Sequence, residues 1–211
     1  VLNRDDHRLR RIGGRLARAR PDIRVIWYSL RDRAAGRIRA AIRIPGEHNV
    51  YNALAAHAAG RALNIPERKI LAAIRAYRGA WRRFDYQGRF KGAEVFADYA
   101  HHPTEIKATL QAAREKFPQR RIWCVFQPHH YERTRNLFRE FSHAFGDCDG
   151  LILLDIYEVA GRERPDRQQS GKQRSGAVSS ELLARAVSRN GTPALYVPDP
   201  KRLKPFLMRW L

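Results

Sequence analysis

Within the stretch ADYAHHPTEI, an acid, a phenol, two adjacent imidazoles and a proline occupy Asp98, Tyr99, His101, His102 and Pro103. Downstream, QPHHYERTR supplies Gln127, His129, His130, Arg133 and Arg135, and DIYEVAGRE supplies Asp155 and Tyr157. These residue types can bind a metal, move protons or hold an anion. The metal reading is the weakest, because neighbouring histidines on an extended chain point in opposite directions and no HExxH or CxxC spacing occurs. No metal ligands are therefore expected in this chain. His102 can equally be a helix-start residue, since short polar groups commonly precede the first turn. Arg133 and Arg135 oppose the helix macrodipole if they lie in a first turn, so a nearby anion would make their placement favourable. Upstream, GEHNVYNALAA carries Asn49, which reads as an N-cap. Asn52 follows one turn later, with an amide able to donate and accept toward an adenine edge.

The elements that must position these groups change character along the chain. DIRVIWYSL (22–30) and GRIRAAIRIP (36–45) read as two β-prone runs, followed by Ala-rich helices over 49–63 and 66–78. The second helix has Pro66 near its first turn, Ile70, Ile74 and Tyr77 at helical spacing, and Gly79 as its stop. From about residue 85, strands and helices alternate. AEVFAD is a strand, 103–117 a helix with Ile106, Leu110, Ala113 and Phe117 on one face, and RIWCVFQ a second strand, which together predict a βαβ unit. A helix over 133–145, the strand LILLDIY, a polar loop over 158–178 expected to be mobile, the helix SSELLARAVSR, the strand ALYV and a last helix after Asp199-Pro200 continue the pattern. The expected fold is α/β, a Rossmann-like domain with a mostly parallel sheet covered by helices. The expected domains are 1–84 and 85–211, the change of pattern falling between 78 and 90. In open α/β sheets, ligands bind beyond the carboxyl ends of strands, and three consecutive strands here end in polar clusters.

Composition narrows the partners. The chain has 211 residues, 44% of them hydrophobic, enough to fill a core. No apolar run of membrane-spanning length is present and the first residues lack the order of a secretory signal, so a cytoplasmic protein without a membrane partner is expected. Cys124 and Cys148 make neither a disulfide framework nor a zinc box and are expected as reduced thiols. A formal charge of +20 points to anionic partners, yet the arginines are dispersed, which fits a solvated surface better than a nucleic-acid groove. No nucleic acid is expected, although a non-catalytic anion or nucleic-acid binder is the alternative that the charge raises.

GEHNVYNALAA, YRGAWRRFDYQG, FADYAHHPTEIKATLQAAR, VFQPHHYERTRNLFREF, DIYEVAGRE and SGAVSSELLA, taken together and in this order, resemble the Mur ligases, ATP-dependent amide-bond-forming enzymes of peptidoglycan synthesis. The resemblance implies a carboxylate activated by ATP to an acyl-phosphate, with UDP-N-acetylmuramate and L-alanine as the substrates. It further implies that Asn52 contacts the adenine, Asp98 the ribose hydroxyls, and Arg83 the ATP phosphates or the acyl-phosphate. Tyr99, His101, His129 and Arg133 would surround the acceptor amino acid and the muramoyl group, with Arg83 and His101 closest to the chemistry. Glu105 and Phe84 resemble the alanine-adding branch rather than a sibling branch that reattaches recycled murein tripeptide. Two departures are His130, where the family commonly has arginine, and Trp81, where it commonly has a small residue. A P-loop of the GxxGK[ST] kind is absent from the 211 residues, and the resemblance implies Mg2+ held by upstream residues outside this chain. The resemblance thus implies the tail of a central ATPase domain followed by a C-terminal domain, inactive alone.

Overall fold

The computed structural model describes residues 1–157 and 178–210. The chain divides into two compact units at Ala80/Trp81. The expected loop over 158–178 falls almost entirely outside the described residues.

In the first unit, β1 (Leu2–Asn3) and β2 (Trp27–Tyr28) pair in parallel, and α1 (His7–Ala19) connects them. Asp6 starts α1 by accepting the N–H groups of Arg8 and Leu9 at 2.7 and 2.9 Å. The helix packs closely against the strands at Gly13, where an added Cβ would lie 2.4 Å from the Trp27 ring and 2.7 Å from Leu2. Three further helices follow: α2 (Arg33–Ala41), α3 (Glu47–Ala62) and α4 (Glu67–Ala76). They bury Ala35, Ile38, Ala41, Val50, Leu54, Ile70 and Ile74 together.

This arrangement corrects two expectations for the first 45 residues. Of the run 22–30 only Trp27 and Tyr28 enter a ladder, and 36–45 is mainly helix α2 rather than a strand. Ala35, Ile38 and Ala41 recur at three-residue spacing and face the helical core. That packing, with alanine and arginine as good helix formers, outweighs the β preference of three isoleucines. Asn49 is not the N-cap of α3: the helix starts two residues earlier after Gly46, whose φ of 95° glycine tolerates. Asn49 Nδ2 instead donates to the Pro45 carbonyl at 2.7 Å.

In the second unit, β3 (Asp85–Phe90) and β4 (Ala93–Ala97) form an antiparallel hairpin. Its turn, Lys91-Gly92, has φ of 48° and 82°, the left-handed pair that matches strand twist in two-residue hairpins. After α5 (Pro103–Lys116), a separate three-stranded parallel sheet is ordered β5 (Trp123–Phe126), β6 (Gly150–Leu153), β7 (Ala194–Tyr196). The expected βαβ pairing of AEVFAD with RIWCVFQ is not formed among the described residues: β4 pairs with β3, β5 pairs with β6, and residues of β4 and β5 line a cavity with α5 instead of sharing a ladder. Helices α6 (Tyr131–Asn136) and α7 (Phe138–Ser142) replace the single helix expected over 133–145, with a break at Leu137. α8 (Ser180–Arg189) is capped by Ser179, and α9 (Leu203–Trp210) follows a short 3-10 turn opened by Asp199.

The main core of this unit contains Ile106, Leu110, Phe126, Phe141, Phe145, Leu151, Leu153, Leu183 and Val187. β6 is buried along its whole length, as a central strand covered on both faces must be. Ala113 and Phe117 are only half-buried because they line a cavity of about 390 Å³ between β4, α5 and β5. Among the described residues no helix is long and apolar enough to cross a membrane.

Candidate functional site

Asp98 follows β4 and ties two segments together. Its Oδ2 accepts the Phe84 N–H at 2.8 Å and its Oδ1 accepts the Ala100 N–H at 2.7 Å. The Tyr99 N–H donates to the Arg82 carbonyl at 2.8 Å, so the turn before β3 is bound to the end of β4. That turn holds two non-glycine residues in the left-handed region, Arg82 at φ 55° and Phe84 at 50°. The bonds to Asp98 and Tyr99 offset the strain of this conformation.

The backbone arrangement collects side chains. The Arg82 guanidinium lies 4.6 Å from the Tyr99 ring centroid and 5.4 Å from that of Trp81, and the Arg83 guanidinium lies 6.0 Å from Tyr99. Trp81 is 81% exposed, so it adds an aromatic face on the solvent side of the arginines. The Tyr99 and His101 rings meet edge-on at 5.5 Å.

His102 is the N-cap of α5. Its Nδ1 accepts the Thr104 N–H at 3.3 Å, while Glu105 accepts the N–H groups of His101 and His102 at 3.0 and 3.2 Å. This reciprocal arrangement, with Pro103 at the first helical position, is a capping box that uses histidine. The helix-start reading of His102 is thus the one that the structure supports. Partial burial by itself would raise the Glu105 pKa. The His101 N–H, the His101 ring, the His102 N–H and the Arg83 charge outweigh it, and the net direction is down.

The second cluster follows β5. His129 and Tyr157 form an isolated parallel bridge with rings 5.1 Å apart, the Tyr157 N–H donating to Pro128 at 2.8 Å and the His130 N–H to Tyr157 at 3.3 Å. His130 precedes α6 with φ 68°, its carbonyl accepting the buried Thr134 hydroxyl at 2.9 Å. Gln127 donates to the Asp155 carbonyl at 3.1 Å, and the Tyr196 hydroxyl bonds the Asp155 carboxylate. Partial burial, then Asp155, pushes Tyr196 up to about 12. Arg133 is half-buried in α6.

His129 links the two clusters. Partial burial and then the charges of His130, Arg133, His101 and Arg82 lower its pKa, so near neutral pH it is an uncharged imidazole among cations. Arg83, Asp98, Tyr99, His101, His129 and Arg133 therefore belong to one electropositive region of the second unit, suited to an anionic ligand. Asn52 belongs to the first unit, exposed on α3. Sequence reasoning passed over Arg82, whose signal was the paired arginines. It weighed Glu105 only as a branch marker, although the His101-to-Glu105 spacing of four already pairs them. Among the described residues no group of three or more His, Cys, Asp or Glu could hold a metal ion.

Comparison with known proteins gives a consistent picture. Residues 82–205 match the family described as "Mur ligase, glutamate ligase domain". The chain is 45% identical over 150 residues to the UDP-N-acetylmuramate–L-alanine ligase of Clostridium acetobutylicum, covering 71% of this chain and 30% of that protein. It is 44% identical over 165 residues to the enzyme of the same name from Desulfotalea psychrophila, covering 77% and 34%. A crystal structure of the UDP-N-acetylmuramate–alanine ligase of Thermotoga maritima superposes with a TM-score of 0.59 at 27% identity, over 78% of this chain and 32% of that one. MurF from Acinetobacter baumannii, at 20% identity and a TM-score of 0.54 over 80% of this chain and 32% of that one, shares the fold. The chain spans about a third of the length of the relatives it matches.

Proposed function

The chain belongs to the Mur ligase family, and from that premise we propose that it is the C-terminal portion of an ATP-dependent ligase joining L-alanine to UDP-N-acetylmuramate. The identity of 45% to a relative of that name carries the reading. The muramate carboxylate would take the ATP γ-phosphoryl group to give an acyl-phosphate and ADP. The alanine amine would then attack the acyl carbon, forming the amide and releasing phosphate.

Catalysis of this kind rests on positioning and on stabilising charge, which is what a cluster of arginines around polar strand ends provides. ATP fits the residues present in part. Arg83 would meet the phosphates or the acyl-phosphate. Asp98, whose oxygens each accept one backbone N–H among the described residues, retains lone pairs for the ribose hydroxyls. The 211 residues contain no P-loop, so the triphosphate cradle and the Mg2+ ligands would be supplied by sequence outside this chain. Tyr99, His101, His129 and Arg133 would surround the acceptor and the muramoyl group. The expected compartment is the cytoplasm.

The test is ADP release that depends on both alanine and UDP-N-acetylmuramate. It should be present in a protein of the relatives' full length carrying this chain, and absent from the 211 residues alone. Ligation by the 211 residues, or none by the longer protein, would sink the proposal.

A further inference from the structure

The His101 ring sits between two groups that can only accept a hydrogen bond. Its Nδ1 lies 3.1 Å from the Tyr99 carbonyl oxygen and 3.3 Å from Glu105 Oε2. A carbonyl cannot donate. Glu105, partly buried yet with its pKa displaced downward by the N–H groups of His101 and His102 and by the Arg83 charge, is ionised and cannot donate either. A neutral imidazole with an acceptor facing Nδ1 must carry its hydrogen there. Nε2 is then left as a lone pair, and no described residue bonds it. The His101 side chain is 35% exposed, so an incoming donor can reach it.

We propose that Glu105 is a positioning residue: together with the Tyr99 carbonyl it fixes the His101 tautomer and leaves Nε2 to accept the proton that the incoming amine loses. The mechanistic half of this inference rests on the proposed ligase reaction. In that step the amine nitrogen forms a bond to the acyl carbon and the carbon–oxygen bond to phosphate breaks. The electron pair of that bond leaves with the phosphate, and the amine proton passes to Nε2. The carboxylate of Glu105 then faces the imidazolium so formed and stabilises it, as the buried acid does in a Ser-His-Asp triad. Glu105 also caps α5 through the N–H groups of His101 and His102, so one side chain orients both the helix and the base. The His101-to-Glu105 spacing, one helical turn across the helix start, makes this possible.

The two halves can be tested separately. Nitrogen-15 NMR of the imidazoles in this chain should show His101 as a single Nδ1–H tautomer. Glu105→Gln replaces an obligate acceptor with an amide that can also donate, while its carbonyl can still cap α5. It should weaken the bias, admitting some Nε2–H tautomer beside the Nδ1–H form that the Tyr99 carbonyl still favours, with helix content unchanged. An Nε2–H tautomer in the parent chain, or an unaltered single tautomer in the variant, overturns the positioning role whatever reaction the site performs. In a full-length ligase carrying this chain, E105Q should lower kcat about 10- to 100-fold, part of the roughly 10²- to 10⁴-fold that a positioned base supplies. KM for alanine should stay within about threefold, and Glu105→Asp should recover part of the loss. A rise in KM alone, or no rescue by E105D, rejects the proton-accepting role of His101. Absence of ligase activity in the parent, with the expected tautomer intact, rejects the ligase reading and leaves the positioning role standing.

Discussion

Asp98 holds the turn before β3 against the end of β4 by accepting the Phe84 N–H, and accepts the nearby Ala100 N–H with its other oxygen. Asp98→Ala removes both acceptors and should destabilise the second unit by about 1.5–3 kcal/mol in urea unfolding, the range for hydrogen bonds to charged groups. Asp98→Asn, which keeps one oxygen, should lose less, and equal stability of both variants to the parent would refute the tether. In a full-length ligase, Asp98→Ala should also raise KM for ATP. His129 yields a pH prediction. Its native pKa lies below the unfolded value of about 6.5, so the unfolded chain binds more protons near that pH and stability rises with pH there. Its contribution is present above about pH 6.5 and is lost as pH falls toward the depressed native value. His129→Gln should therefore flatten the dependence of urea midpoint on pH between about 7.5 and 5.5, and an unchanged slope would contradict the lowered pKa. The residue types at these positions were legible in DYAHHP and QPHH, but most of their partners were not. Asp98 reaches Phe84 across 14 positions, a contact that exists only once the β3–β4 hairpin has folded. His129 feels Arg82 only because two polar strand ends converge.

Among the elements, α1 offers the sharpest contrast, because adjacent glycines have opposite surroundings. A Cβ at Gly13 would strike Trp27 and Leu2, whereas at Gly14 nothing lies within 4 Å. Gly13→Ala should cost about 1–3 kcal/mol through overpacking, while Gly14→Ala should stabilise the helix by up to about 1 kcal/mol. Thermal unfolding of the two variants decides the matter, and shifts of the same sign would count against the described packing. Helices α4 and α5 were legible from apolar spacing and from Pro66 and Pro103 near their starts, and α3 from its alanine-rich run. The short parallel strands were legible as dense apolar runs. Two features escaped for physical reasons. The run 36–45 mixes β-branched residues with alanine and arginine, and only its packing against α3 and α4 selects helix. The hairpin depends on Lys91 accepting a left-handed conformation beside Gly92, a weaker signal than Asn-Gly would have been. β4 pairs with β3, and a cavity lined by β4, α5 and β5 lies where the alternation suggested a ladder between AEVFAD and RIWCVFQ.

At the scale of the whole molecule, two separate cores stand behind a strongly basic surface. Helices bury Ile38 and Leu54 in the first unit, and a parallel sheet buries Leu151 and Leu153 in the second. The net charge of +20 was plain in the sequence. Its consequence depends on where the cations lie, and Arg82, Arg83 and Arg133 lie near Tyr99 or His129 in the second unit. Filter binding to duplex DNA should show only weak retention, falling steeply between about 50 and 200 mM salt as counterion release requires. Sub-micromolar affinity persisting at physiological salt would favour the binder reading. The two thiols carry a further, practical consequence. Cys148 is buried and Cys124 half-buried, and desolvation pushes both up, Cys148 to about 11, so at neutral pH scarcely any thiolate exists at either position. Toward a maleimide dye the native chain should behave as if it contained no cysteine. A single cysteine placed at exposed Trp81 could then carry a fluorophore beside the paired arginines without altering any core residue.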